Sequence, residues 1–197
     1  YEAFVAAGWP ELIALGTRTV MQVSQSMATV PANVSRWYAA WQEDELIRRT
    51  REESETAQIG RTHGQHAIPL TFGFAMAEYV ARLGKSLGRL QEKAAGLRGK
   101  LAGAVGAYNA TSLLVKDPEE LEREFCSHLG LEPSEHSTQL VEPEYLLGLL
   151  LELNTAFGII ANLADDLRNL QRSEIGEVRE EFTATQVGSS TMPQKRN

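Results

Sequence analysis

A second cysteine is missing from this chain: Cys126 stands alone among 197 residues, so no intrachain disulfide can form. A reducing compartment, the cytoplasm, is the expected location. Cation excess is lacking too. Lys and Arg number 19 against 26 Asp and Glu, a net charge of −7, whereas nucleic acid and anionic membrane surfaces demand clustered positive charge. Neither is expected as a partner. The longest apolar stretch, Tyr145 to Ala164, is broken by Glu152, Asn154, Asn162 and two glycines, so it reads as a buried helix rather than a membrane span. Strand-like alternation of useful length, internal repeats and low-complexity tracts are also absent, which leaves an all-α fold, a bundle of long helices.

What the chain does hold is chemistry concentrated in two short stretches. The last ten residues read Gly188-Ser189-Ser190-Thr191-Met192-Pro193-Gln194-Lys195-Arg196-Asn197. Gly188 opens backbone angles closed to other residues, while Pro193 fixes its own φ and pushes Met192 away from helical geometry. An irregular loop after a helix follows. Its successive N–H groups, with Lys195 and Arg196, offer a seat for a carboxylate or phosphate, and Asn197 adds an orientable amide. The chain stops there and begins at Tyr1, so it is expected to be a piece of a longer protein.

The second stretch is Gly60-Arg61-Thr62-His63-Gly64-Gln65-His66-Ala67-Ile68-Pro69, a turn leading into a long helix. His63, with an ordinary pKa of about 6.5, can exchange a proton near neutral pH, and Thr62 and Gln65 can orient bound groups around it. His63 and His66 also form an H-x-x-H pair. With only His128 and His136 besides and no clustered Cys or acidic ligands, no metal site is specified, and no cofactor is expected.

Between and around these stretches the pattern is helical. A short helix precedes Gly16, with Trp9-Pro10 opening a turn, and another runs from about Thr19 to Ala57 with a break near Pro31. Asp44 with Arg48 and Glu45 with Arg49 mark a solvated face; Trp37 and Trp41 read as core or helix contacts. Leu70 to about Gly99 is predicted as one helix with an apolar seam at Phe74, Ala77, Val80, Ala81, Leu87 and Leu90, and Gly73, Gly84 and Gly88 permit close approach. Leu101 to Gly106 is a small-residue stretch. Asp117-Pro118-Glu119-Glu120 starts a helix that ends near Gly130. A polar connection with His136-Ser137-Thr138-Gln139 follows, and Pro143 opens the last helix. Its seam, Leu146, Leu150, Leu153, Phe157, Ile160, Ala164, Leu167 and Leu170, demands partner helices shared between subunits.

The terminal loop closely resembles the signature G-S-S-x-M-P-x-K-x-N of the fumarase/aspartase superfamily, matching at Gly188, Ser189, Ser190, Met192, Pro193, Lys195 and Asn197. The form R-T-H-G-Q-x-A-x-P at Arg61 to Pro69, the S-T-Q at Ser137 to Gln139 and the E-I-x-E-V at Glu174 to Val178 are similar to adenylosuccinate lyases. Ala102 departs from that branch, which has serine before G-A-V-G, and Gly16-Thr17-Arg18-Thr19 matches its threonine-rich segment too poorly to carry a role. Together the resemblance covers most of residues 60–197. It implies that the whole of 1–197 is a central helical lyase domain, in an enzyme that eliminates a group from a succinyl skeleton and releases fumarate. It further implies a homotetramer whose sites are each built from three subunits, with His63 as general acid and Ser189 as base. Thr62, Gln65, Gln139, Ser190, Lys195 and Asn197 would bind the substrate, with the terminal loop closing over it.

The residues fit that chemistry. Ser189 is a poor base unless ionised, which the electropositive loop and Lys195 favour, and His63 can protonate a departing nitrogen. The expected reaction is anti β-elimination from a dicarboxylate, with adenylosuccinate as the leading substrate. S-S-T-M-P-Q-K-R-N and T-H-x-Q-H-A also resemble carboxymuconate cycloisomerases, which work on another skeleton. A silent structural protein, as among lens crystallins, is the reading of another class. The pair His63 and Ser189 weighs against it, since structural duty needs neither.

Overall fold

The computed structural model describes residues 45–181 and 190–192, together with the isolated positions Asn33 and Arg36. The readings placed on Trp9-Pro10, residues 16–21, Pro31, Trp37, Trp41 and Asp44 lie outside the described residues. Helix dominates what is described, in the order α1 (Glu45–Glu52), β1 (Ala57–Thr62), β2 (Gln65–Thr71), α2 (Phe72–Ala95), β3 (Arg98–Gly99), a 3₁₀ turn (Thr111–Leu113), α3 (Pro118–His128), β4 (Glu132–Pro133) and α4 (Pro143–Leu170). The chain divides into two compact units, one containing 87–153 and the other 42–86 with 154–197, so α2 and α4 each belong partly to both.

Several boundaries follow from local chemistry. Asp117 accepts a hydrogen bond from the Glu120 N–H at 2.9 Å and Pro118 takes the first helical turn, so α3 starts where its cap predicts. It ends just before Gly130, whose φ of 68° suits a residue without Cβ. Pro143 opens α4. On α1, Arg49 pairs with Glu45 at 2.8 Å, and Arg48 is held by Glu45 and Glu52 on the same solvated face.

Three predictions need correction. The seam of α2 is Met76, Tyr79, Leu83, Ser86, Leu90 and Ala94, all buried, whereas Phe74 is 72% exposed. Steps of three and four hold, but in a different phase. Its charges, Glu78, Arg82, Lys85, Arg89 and Glu92, run along another side at the same steps, and two of them reach polar partners. In the 42–86/154–197 unit the Tyr79 hydroxyl donates to Asp166 and Arg82 reaches Asn162 at 3.1 Å. In the 87–153 unit Arg89 makes a two-pronged pair with Glu152 at 2.9 and 3.0 Å. Of the glycines expected to allow close approach, Gly73 does so, because a Cβ there would collide with the Thr50 carbonyl. Gly88 faces open space.

The second correction concerns Ala57 to Thr71, read as a turn running into a helix that begins at Leu70. It is an antiparallel hairpin, and the helix starts only at Phe72. Thr62 pairs with Gln65, leaving His63 and Gly64 as a two-residue turn with φ of 53° and 73°. Positive φ at both positions is the type I′ geometry that matches strand twist. Between Ile59 and Arg61 the register shifts, setting Ala67 and Ile68 against Gly60 alone. Gly60 is required at this bulge, since a Cβ would lie 2.9 Å from the Ile68 carbonyl. A two-stranded ribbon has only edges, so Pro69 removes little.

The last helix, read as buried, is buried along one side only. Leu149 and Ile159 are covered, while Leu146, Leu150, Phe157 and Ile160 are 42–69% exposed. Its length and hydropathy would suffice to cross a membrane. These four belong to the eight-residue seam read from the sequence, of which Leu153, Leu167 and Leu170 are half-buried.

Candidate active site

The hairpin turn presents His63. Thr62, His63, Gly64 and Gln65 are all exposed, and the pairing of Thr62 with Gln65 closes the ladder directly behind the imidazole. His63, Thr62 and Gln65 are thus brought together at one tip. The left-handed backbone at His63, with φ of 53°, is one that few residues other than Gly adopt, His among them.

Behind the tip the hairpin is anchored by charge. Arg61 and His66 are cross-strand partners, and the Arg61 guanidinium meets Glu177 at 2.5 Å. Gln58 donates to the other Glu177 oxygen at 3.0 Å. The Arg61 bond holds the Glu177 carboxyl below the usual carboxylate range, with smaller help from Gln58 and the charge of His66, against opposition from burial. Glu177 follows α4, where the N–H groups of Glu177 and Val178 fold back onto the Leu170 carbonyl. The E-I-x-E-V segment is therefore an anchor for the hairpin that bears His63.

A cleft of about 860 Å³ lies beside this anchor in the same unit, bordered by Arg61, Gly64, Phe74, Tyr79, Asp166 and Arg172. Burial, followed by the bond to Asp166, pushes the Tyr79 hydroxyl well above its ordinary value, so it stays a neutral donor. Among the described residues no three His, Cys, Asp or Glu side chains gather as metal ligands.

Gln139 belongs to the other unit and its side chain is exposed. Its surroundings are built from side chains bonding backbone. Lys100 Nζ donates to the carbonyls of Gly103, Thr138 and Gln139 at 2.7, 2.6 and 3.0 Å. Glu122, 3% exposed, accepts from the Leu101 N–H and the Tyr108 hydroxyl. That bond, with burial, raises the Tyr108 pKa to about 12. Glu142 accepts from the Ser134 hydroxyl and the His136 N–H, and these bonds lower its pKa. Ser190 is exposed. Ser189, Lys195 and Asn197 lie outside the described residues.

Sequence reasoning passed over Lys100, Arg61, Glu122 and Glu177 as working groups. Lys100 and Glu122 gave no signal, being one charge in a small-residue stretch and one of several acids on α3. Arg61 and Glu177 each stood inside a motif that could have marked them.

A family profile described as lyase matches residues 32–197. Adenylosuccinate lyase from Archaeoglobus fulgidus is 35% identical over 184 residues, 93% of this chain and 40% of that protein. The enzyme of the same name from Pyrococcus horikoshii is 43% identical over 143 residues, 72% of this chain and 31% of that protein. The one from Synechocystis is 37% identical over 159 residues, covering 78% and 36%. The chain spans about two fifths of the length of the first of these relatives. It belongs to the lyase family of the fumarase/aspartase superfamily.

Proposed function

We propose, starting from that family membership, that the protein carrying this chain catalyses anti β-elimination from a succinyl-type substrate. Adenylosuccinate is the favoured substrate, and the products are fumarate and an amine. Ser189 Oγ takes the proton from the carbon beside a carboxylate. The electrons left behind form the new double bond as the C–N bond breaks, its pair passes to nitrogen, and His63 protonates that nitrogen. Each proton transfer by a positioned group is worth roughly 10²–10⁴-fold. Thr62, Gln65, Gln139 and Ser190 bind the substrate, and Lys195 and Asn197 hold its carboxylate, where positive charge also stabilises the carbanion.

The observation that carries this reading is the His63 turn. His63 is exposed at a hairpin tip, flanked by Thr62 and Gln65, on a hairpin anchored by Arg61 and Glu177, and this supports the role of acid. The uncovered apolar side of α4 supports a homo-oligomer, a tetramer with sites shared between subunits, because leaving Leu146, Leu150, Phe157 and Ile160 in water is costly. Residues 1–197 then form its central helical domain, in a cytoplasmic enzyme.

The test is an ultraviolet assay of fumarate release by the full-length protein given adenylosuccinate, run beside carboxymuconate. Fumarate from adenylosuccinate, abolished in Ser189→Ala, is the expected result. Turnover of carboxymuconate alone would shift the substrate to that of the cycloisomerases. Activity on neither would return the protein to a structural role. Analytical ultracentrifugation of the same preparation checks the tetramer.

A further inference from the structure

We infer that Lys100 is a positioning residue that sets the direction of Gln139; the inference rests on the reading of Gln139 as a substrate-binding group. An ammonium has three donors and no acceptor, and Lys100 Nζ spends all three on backbone carbonyls. Two of them, on Thr138 and Gln139, flank the Gln139 Cα on either side. Holding the carbonyls of both neighbouring peptide planes restrains that residue in φ and ψ, while it stays exposed. The third, on Gly103, joins this segment to the glycine turn of Leu101 to Gly106.

A second contact, made without Lys100, joins the same two segments. Gly106 lies directly against the Ser137 carbonyl and the Thr138 Cα, with φ of 75°, so closely that no Cβ could be placed there. The turn is held from its far side by Glu122 through Leu101 and Tyr108. Residues 137–139 therefore rest on a rigid backing, and Lys100 sets their rotation upon it. No carboxylate performs this task because the groups to be held are carbonyls, which accept only.

The test uses the full-length protein with adenylosuccinate. Lys100→Met keeps an unbranched side chain, one atom shorter, and removes its donors. It is expected to raise KM about tenfold while kcat stays within about threefold, the signature of lost ground-state positioning by a charge-assisted bond. Made on a Gln139→Ala background, the same change should raise KM by less than about twofold, since the group being aimed is already gone. Equal effects on both backgrounds would reduce Lys100 to a general structural residue and overturn the inference.

Hydrogen exchange gives a readout independent of turnover. In Lys100→Met the amides of 137–140 should exchange faster while those of α3 do not change. Unaltered exchange at 137–140 would remove the clamp itself. Faster exchange there in a protein whose wild type releases no fumarate would leave the clamp standing but refute the role of Gln139, and with it the inference.

Discussion

Gly64 and Gly106 have nearly the same backbone, with φ of 73° and 75°, and opposite surroundings. Around Gly64, at the hairpin tip, a Cβ would meet nothing within 4 Å; at Gly106 it would strike the Ser137 carbonyl. The hairpin is made by a backbone ladder that supports itself, so its tip is free to carry reactive groups. The wall behind Gln139 has almost no ladder, only two residues each of β3 and β4. It is held by individual side chains, Lys100, Glu122 and Glu142. One region can lose its exposed residues and keep its shape, whereas the other depends on single side chains bonding its backbone.

The sharpest way to separate them begins with His63. Asn tolerates a left-handed backbone at least as well as His. His63→Asn should therefore leave stability within about 0.5 kcal/mol. Turnover should fall roughly 10²–10⁴-fold with the loss of the acid. Urea unfolding and the fumarate assay on one preparation would decide. A large loss of stability would mean that the hairpin depends on its tip after all.

A matched pair of glycine substitutions comes next. Gly64→Ala pays only for the left-handed backbone, about 1–2 kcal/mol. Gly106→Ala adds a collision with backbone that cannot step aside, and the total should exceed that of Gly64→Ala by at least about 1 kcal/mol. Denaturant midpoints of the two variants check the order, and equal midpoints would erase the contrast drawn here.

The smallest effect concerns acid. Glu177 in the hairpin anchor and Glu142 in the wall both have carboxyls held below the ordinary range. Their folded pKa lies below the unfolded one, so their contribution is complete above the ordinary Glu value of about 4.3 and disappears as pH falls through the lowered folded value. Glu177→Gln and Glu142→Gln should each flatten the decline of stability between neutral pH and about pH 3. Chemical denaturation at several pH values measures that slope. An unchanged slope would separate these ion contacts from stability.

Legibility in the sequence followed the same divide. Caps and helix starts at Asp117, Pro118 and Pro143 depend on adjacent residues, so local chemistry predicted them. The hairpin escaped because its strands, Ala57–Thr62 and Gln65–Thr71, mix glycine, proline and polar residues and alternate weakly, although His-Gly is itself a turn signal. The phase of α2 was legible in its stripe of charges, Glu78, Arg82, Lys85, Arg89 and Glu92, and was missed; the partners Asp166 and Asn162 lie more than 75 residues along the chain. Thr62, His63, Gln65 and Gln139 stand in short motifs that single them out as candidates, while Lys100 reaches the Gln139 carbonyl across 39 positions and has no motif of its own.

The outward side of α4 has a thermodynamic corollary. Greasy side chains of α4 face water while Glu152 and Asn162 face a neighbouring helix, so in the proposed oligomer folding and association would draw on one reservoir of free energy. The melting temperature would then rise with concentration by mass action, and dilution would act as a mild denaturant.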